Sequence, residues 1–600
     1  MAVPLRANGA LNHNRGLSGA RLYVCAFFVL FGSAVIFYRL ISVMFFQHSY
    51  FVQEAKSQYN NPSALLAGRG GIYLSDLSTG NNVLAAANKN SYFVFGNNYK
   101  IESPDDAAVK VSEIVNIPVE ELKTKLNEAG KSYQVLAHNI TKEQADKITK
   151  LKVDGISSAS EISRQYQFSP EISSVSGFVG FKGEERIGQY GVEGYYEDFL
   201  SGKLKTQEIL GNETYSKIYN FLKLNGDKTA NNTDKNSENS ADGSAGYKGV
   251  DLVLAIDPNI QSYVSTKLNE LMKRWTPEKG MAIVQDPNTG EILAMVASPG
   301  YDSNNYNDFK MDNYINPNIQ EYFEPGSSFK SITMAAALDT GAVTPETTYR
   351  DPGQVKFDDF TIQNYDEKAH GVQTMRQVLE FSLNTGAIFA QKRTGDDNFL
   401  NYVVNFGFGQ KTGVDLAGEI SGSIANLYSG RKVNFATASF GQGIAVTPIQ
   451  LITAYSAIAN GGKIMWPHVV KEIVRPDGTH DKINPKILNM AIKEKTSALM
   501  KSMLVDVVDK GFDKAKVDGY DVAGKTGTAQ IPDPEGGYLG NDEFIHDFVG
   551  FAPAYAPRFS ILLRIDKPVG AKFASNTLPS TFGDITRYLL NYFNIPPTRS

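Results

Sequence analysis

The sequence predicts a multidomain α/β protein with one helix crossing a membrane near its N-terminal end. Three observations predict it. An uncharged apolar run, Leu22 to Tyr38, follows a basic tail; a stretch at 225–247 has almost no apolar side chains; and strand-like and helix-like segments follow one another on both sides of that stretch. A chain of 600 residues exceeds what one hydrophobic core usually serves, so two or three domains are expected.

The tail, 1–21, carries Arg6, Arg15 and Arg21 and no acidic residue. After Arg39 the apolar run resumes from Leu40 to Phe46. A helix over 22–46 would be about 37 Å long, enough to cross a bilayer with tilt. The basic flank puts the N-terminus in the cytoplasm and the rest of the chain outside. A cleaved signal peptide is the alternative, but its apolar region would be shorter, and no small-x-small cleavage site follows the run. A retained single-pass anchor in the cytoplasmic (inner) membrane is therefore expected.

Residues 48–224 form a non-catalytic α+β pedestal. Arg69-Gly70-Gly71-Ile72-Tyr73, a turn at Ser78 to Asn82 and Val83-Leu84-Ala85 predict a strand, turn and strand. Ser103 before Pro104 predicts a helix N-cap, and Thr141 with Gln144 a capping box. Residues 164–202 return to aromatic and glycine-rich strand-like text. The Asn-, Ser- and Asp-rich 225–247 stretch cannot bury a core and predicts a flexible linker. A second domain, 248–600, opens with the apolar strand Val250 to Ile256, then a strand pair at Met281–Gln285 and Glu291–Ala297 around the turn Asp286 to Gly290.

Composition narrows the chemistry. A net charge of −5 gives no sign of nucleic-acid binding, which needs a clustered basic face. The single cysteine, Cys25, excludes a disulfide framework and a cysteine cluster for zinc. The seven histidines are scattered without metal-ligand spacing, and no Gly-x-Ser-x-Gly elbow is present.

The stretch Glu324-Pro325-Gly326-Ser327-Ser328-Phe329-Lys330 reads differently. Pro325 and Gly326 make a tight turn that delivers Ser327 to the first turn of a buried helix ending near Gly341. Lys330, three residues on, shares a helical face with Ser327 and can serve as its base. Ser-x-x-Lys alone is weak: Ser429 and Lys432 match it in a polar stretch. Two later pieces accompany the first, Ser382-Leu383-Asn384 and Lys525-Thr526-Gly527-Thr528, at separations of 55 and 141 residues. Ser303-Asn304-Asn305, Ser237-Glu238-Asn239 and Lys411-Thr412-Gly413 match the same short patterns but break the order or sit in different local text.

With these pieces in order, the chain resembles a class B penicillin-binding protein, a membrane-anchored peptidoglycan D,D-transpeptidase. The resemblance covers nearly everything after the anchor. It rests on Arg69-Gly70, Arg164-x-Tyr166, Tyr190-Gly191-Val192-Glu193, Leu254 to Pro258, Asp286 to Met295 and Glu324 to Lys330. Gly441-Gln442-Gly443, Thr447-Pro448-Ile449-Gln450 and Phe548 to Pro553 continue it. No glycosyltransferase-like pattern precedes the catalytic part, which argues against a bifunctional class A enzyme.

The resemblance implies a C-terminal antiparallel sheet flanked by helices, and chemistry without metal or cofactor. It implies that Ser327 attacks the penultimate D-Ala of a stem peptide with Lys330 as the first-ranked base, and that Lys525 helps keep Lys330 neutral. Ser382 would relay a proton to the leaving amine, and Asn384 would hold the substrate amide. Lys525, Thr526 and Thr528 would receive the terminal carboxylate on a strand edge, with Gly527 letting the backbones approach. The oxyanion hole would be the N–H groups of Ser327 and Thr528. Implied partners are stem peptides, β-lactams, a polytopic membrane glycosyltransferase and other divisome proteins. The Phe548–Pro553 segment and the overall length favour the septal type over side-wall elongation. A carboxypeptidase or β-lactamase, and a non-catalytic β-lactam sensor or scaffold, are the alternatives; the long pedestal, the anchor and the single span speak against them.

Overall fold

In the computed structural model of the protein the described residues are 16–42, 68–128, 133–183, 185–202, 248–357, 360–533, 537–540 and 543–599. The expected linker at 225–247 lies outside them. The chain divides into two compact units, Met1–Ala64 and Leu65–Ser600.

In the first unit the described element is a helix, α1 (Gly16–Ile41), with Arg39 in its last turn. It starts six residues before the expected anchor, and 43–46 lie outside the described residues. Among the described residues no helix is long and apolar enough to cross a membrane. The crossing expected over 22–46 is thus not carried by a described helix.

The second unit begins with the expected strand, turn and strand. β1 (Ile72–Ser75) and β2 (Asn82–Gly96) pair antiparallel. The turn between them closes on the Asp76 carboxylate, which accepts from the Ser78 N–H at 2.9 Å. Helix α2 (Pro104–Val115) starts as expected with Ser103 at the N-cap and Pro104 next. The Ser103 hydroxyl, however, donates to Asp106 at 3.1 Å rather than accepting a backbone N–H. The capping box holds: α3 (Lys142–Leu151) is closed by Thr141 and Gln144 in reciprocal bonds of 3.2 and 2.9 Å. β3 (Gln134–Ile140) and β4 (Ile156–Tyr166) both lie antiparallel to β2.

The strand expected to open the second domain is β5 (Asp251–Leu254), and it pairs parallel with β1, Ile72 opposite Leu252. Val470–Val474 and then His480–Lys482 extend the same sheet on the other side of β5. One seven-stranded sheet therefore joins the pedestal to segments more than 300 residues later in the sequence. A buried ionic knot braces this junction. Glu193, on a short helix, accepts from Arg69 and Arg164 Nε at 2.8 Å each and from the Tyr166 hydroxyl at 3.2 Å. Arg69 reaches Glu197 as well, at 2.6 Å. Burial pushes the Glu193 carboxyl up, but the two guanidiniums outweigh it and hold it below the ordinary carboxylate range.

The second sheet is antiparallel and five-stranded, in the order β8 (Ala523–Gln530), β9 (Phe544–Ala552), β10 (Phe559–Asp566), β6 (Lys279–Gln285), β7 (Ile292–Ser298). On one face α4 (Pro258–Trp275) and α8 (Pro579–Tyr592) bury Leu268, Phe582 and Leu589 against Phe548, Leu563 and Ala282. On the other lie α5 (Lys330–Asp339) and α7 (Pro448–Ala459), every residue of which is buried. α6 (Asn384–Thr394) packs beside α5. β8 is an edge strand of this sheet, so its outer edge is free to meet a ligand.

Candidate active site

The expected nucleophile turn is a short 3-10 segment, Gly326–Phe329, that runs directly into α5. Gly326 adopts φ +55°, and a Cβ there would lie 2.7 Å from the Thr528 carbonyl oxygen. Glycine is required on both counts. The Gly326 N–H donates to the Gly441 carbonyl at 3.1 Å, and Ser328 Oγ donates to the Pro325 carbonyl at 2.8 Å. The turn is thereby fixed at both ends, and Ser327 stays partly exposed between buried neighbours.

Lys330 and Lys525 lie beneath it, each about 98% buried or more. Lys330 Nζ is 3.0 Å from Ser327 Oγ, 2.6 Å from the Ser382 carbonyl oxygen and 3.2 Å from Ser382 Oγ. Lys525 Nζ reaches the same Ser382 hydroxyl at 3.1 Å. Ser382 is held at φ +53°, a left-handed conformation that costs a non-glycine residue about 1–3 kcal/mol. That backbone turns both its carbonyl and its hydroxyl toward the lysines. Burial drives Lys330 well below the ordinary lysine range, and the Lys525 ammonium adds to the push. Burial also brings Lys525 down to about 8, against an opposing pull from Asp547.

A neutral Lys330 amine has two N–H donors and one lone pair. With Ser382 taking the donors, the lone pair is available to the Ser327 O–H. The geometry is that of a nucleophile with its base, oriented by a third group.

The remaining expected residues are placed as follows. Asn384, at the start of α6, is partly exposed and donates to the Gln363 carbonyl at 2.7 Å. Strand alternation puts Lys525 and Gly527 on the sheet face toward α5, and Thr526 and Thr528 on the opposite face. The Thr528 hydroxyl accepts the Ala574 N–H at 2.9 Å. Gly527 does allow a close approach, but to protein: a Cβ there would lie 2.3 Å from the Pro325 carbonyl oxygen and 2.0 Å from Asp547 Oδ2. The look-alikes stay apart from this cluster. Lys432 pairs with Asp396, Ser429 Oγ bonds the Asn426 carbonyl, and Ser303 is buried against Gly177.

Two acidic residues at the site were not singled out by the sequence reading. Glu324, pushed up to about 6 by burial, accepts from the Gly443 N–H at 2.8 Å and from the Tyr538 hydroxyl at 3.1 Å. Asp547 lies buried under Gly527. A lone acid at an inward position of an otherwise apolar strand was a signal for it.

Two family models match the chain. The penicillin binding protein transpeptidase domain covers residues 280–586, and the penicillin-binding protein dimerisation domain covers 64–221. The chain belongs to the penicillin-binding proteins, and the pairing of these two domains makes it a class B, serine-type transpeptidase. Among its relatives, Stage V sporulation protein D of Bacillus subtilis is 31% identical over 87% of this chain and 78% of its own. Peptidoglycan D,D-transpeptidase FtsI of Escherichia coli is 29% identical over 81% of this chain and 77% of its own. The apo crystal structure of penicillin binding protein 3 of Mycobacterium tuberculosis is 27% identical, with a TM-score of 0.61 over 73% of this chain and 93% of that one.

Proposed function

We propose that the chain is a peptidoglycan D,D-transpeptidase in which Ser327 carries the acyl group, and that it works in septal wall synthesis. The observation that carries the catalytic assignment is the meeting of Ser327, Lys330, Ser382 and Lys525 within 3.2 Å contacts, from three distant segments. Lys330 takes the Ser327 proton as Oγ bonds to the carbonyl carbon of the penultimate D-Ala. The peptide C–N bond then breaks, and the departing D-Ala amine receives a proton through the Ser382 hydroxyl. An amine from a neighbouring stem peptide next attacks the ester and restores Ser327. Asn384 holds the substrate amide. Lys525, Thr526 and Thr528 receive its carboxylate at the β8 edge, and the Ser327 and Thr528 N–H groups face the oxyanion. The names of the FtsI and PenA relatives, each a peptidoglycan D,D-transpeptidase, support the substrate class.

The same reading places the chain at the cytoplasmic membrane, anchored through 22–46 with its catalytic part outside. The uncharged run Leu22–Tyr38 behind the basic tail supports this. The division role rests on the Phe548–Pro553 segment and on similarity to FtsI, and it brings a polytopic glycosyltransferase as membrane partner. The 225–247 stretch serves as a spacer. Fluorescent penicillin should label the full chain covalently and leave folded Ser327→Ala unlabelled; an unlabelled, folded wild type would refute the assignment. Depletion in the native cell should give filaments, whereas spheres would assign the enzyme to side-wall elongation.

A further inference from the structure

Asp547 is a buried acid that the reaction as described does not use. It sits in the middle of β9, directly opposite Gly527 of β8 and Arg564 of β10. Its side chain is fully enclosed, and neither carboxylate oxygen has a hydrogen-bond partner among the described residues. Such burial without partners is costly unless something else depends on the group.

Its surroundings show what does. The inward face of the sheet carries a row of alternating charge: Lys525, Asp547, Arg564, Asp566. Arg564 is already engaged, with Nε and Nη2 bonded to Asp566 at 2.8 and 2.7 Å. From α7 the Tyr455 hydroxyl faces the same space but is committed to the Ser328 carbonyl and to Ser331 Oγ, at 2.7 and 2.8 Å. From the nucleophile turn the neighbouring Ser328 hydroxyl donates to Pro325. Lys330 is turned toward Ser327 and Ser382. That leaves Lys525, one pair along the ladder from Asp547, as the cation without a carboxylate of its own. The same strand backbone separates Asp547 from the catalytic turn, since a Cβ on Gly527 would strike both Asp547 and the Pro325 carbonyl.

We propose that Asp547 is a positioning residue for acyl transfer: from beneath Gly527 it keeps the Lys525 ammonium charged and aimed at Ser382 and the incoming carboxylate. The reading rests on the catalytic role assigned above to Lys525. Its consequence follows from how the two groups titrate. Burial pushes Asp547 up to about 7, with Lys525 and Arg564 opposing. Below that pH the carboxyl is neutral and Lys525 holds its proton unaided. As pH rises, the carboxylate appears just as burial begins to strip Lys525 of its charge, near 8. Asp547 thus extends the alkaline reach of the site.

The test is the pH profile of the second-order acylation constant of the full-length protein with benzylpenicillin, read by competition with fluorescent penicillin. An opposite charge at this range shifts a pKa by about one unit or more. Asp547→Asn should therefore match wild type within about twofold at pH 6 and fall about tenfold behind it at pH 8.5. Placed on Lys525→Ala, the same substitution should change nothing in the profile. Asp547→Ser, which removes the charge without adding volume, is read in the same way should the Asn variant not fold. A loss equal at both pH values, with a lowered melting temperature, would mark Asp547 as structural only and overturn the proposal. An unchanged profile would overturn it too. Loss of acylation at every pH in Ser327→Ala leaves the two hypotheses separable, because that result tests the nucleophile and not Asp547.

Discussion

Gly527→Ala is the sharpest test of how the site is held together. The new methyl would sit 2.0 Å from Asp547 Oδ2 and 2.3 Å from the Pro325 carbonyl oxygen. Neither can move aside cheaply. Asp547 is enclosed by Tyr455 and Arg564, and Pro325 is backbone pinned by the Ser328 hydroxyl at 2.8 Å. Relief must come from β8 and the nucleophile turn moving apart. Overpacking of this kind costs about 1–3 kcal/mol of stability, which leaves a large domain folded. The effect on chemistry is greater, because a displacement near 1 Å of positioned groups costs about 100-fold in rate, or about 2.7 kcal/mol of barrier. The acylation constant with fluorescent penicillin should fall by that factor while circular dichroism reports a cooperative melt slightly below wild type. Gly540→Ala, where an added Cβ meets nothing within 4 Å, is the control and should acylate normally. A folded Gly527→Ala that acylates within about threefold of wild type would show that the strand and the turn are not rigidly coupled. The reasoning about close approach would then fail.

Two further predictions concern charge. The wild-type acylation constant should be bell-shaped in pH. The competent form has neutral Lys330, whose depressed value makes the rate climb as pH rises through it, well below the ordinary lysine range; it also has cationic Lys525, so the rate falls again above about 8. Stopped-flow acylation across buffers checks this, and a rate still rising at pH 10 would contradict it. Glu193→Gln removes the anion that Arg69 and Arg164 share, leaving two buried guanidiniums, and should cost about 3–5 kcal/mol in thermal or urea unfolding. Because the folded Glu193 carboxyl is depressed, its contribution in wild type is present above the unfolded value, about 4.3, and is lost as pH falls through the folded one.

Local chemistry was legible in the sequence wherever a residue acts on its near neighbours. Thr141 with Gln144, Pro104 after Ser103, and Ser327 three residues before Lys330 each gave the element found. Ser103 shows the limit: the position was right, yet Asp106 takes the hydroxyl that an N-cap would turn to the backbone. The joining of β1 to β5 was not legible, because a parallel pair leaves no turn signature and its partners stand 180 residues apart. The roles of strand faces were hidden for a related reason. Lys525, Thr526 and Thr528 read as one group in sequence, but alternation sends Lys525 inward and the threonines to the other face.

Asp547 combines both limits. In sequence it is one acid among the apolar residues of Phe544–Ala552, with no neighbour to give it a partner. Its meaning lies in two register pairs, Gly527 opposite it on one side and Arg564 on the other, and register is fixed only when the strands assemble. Gly527 then serves two masters with one missing side chain. The space that admits the Asp547 carboxyl from below also admits the Pro325 carbonyl from the turn that carries Ser327. A motif glycine that family patterns explain by the substrate's approach is required here by the protein's own backbone and by a buried charge. The Lys-Thr-Gly-Thr segment is therefore as much the floor of the nucleophile as the wall of the substrate cleft.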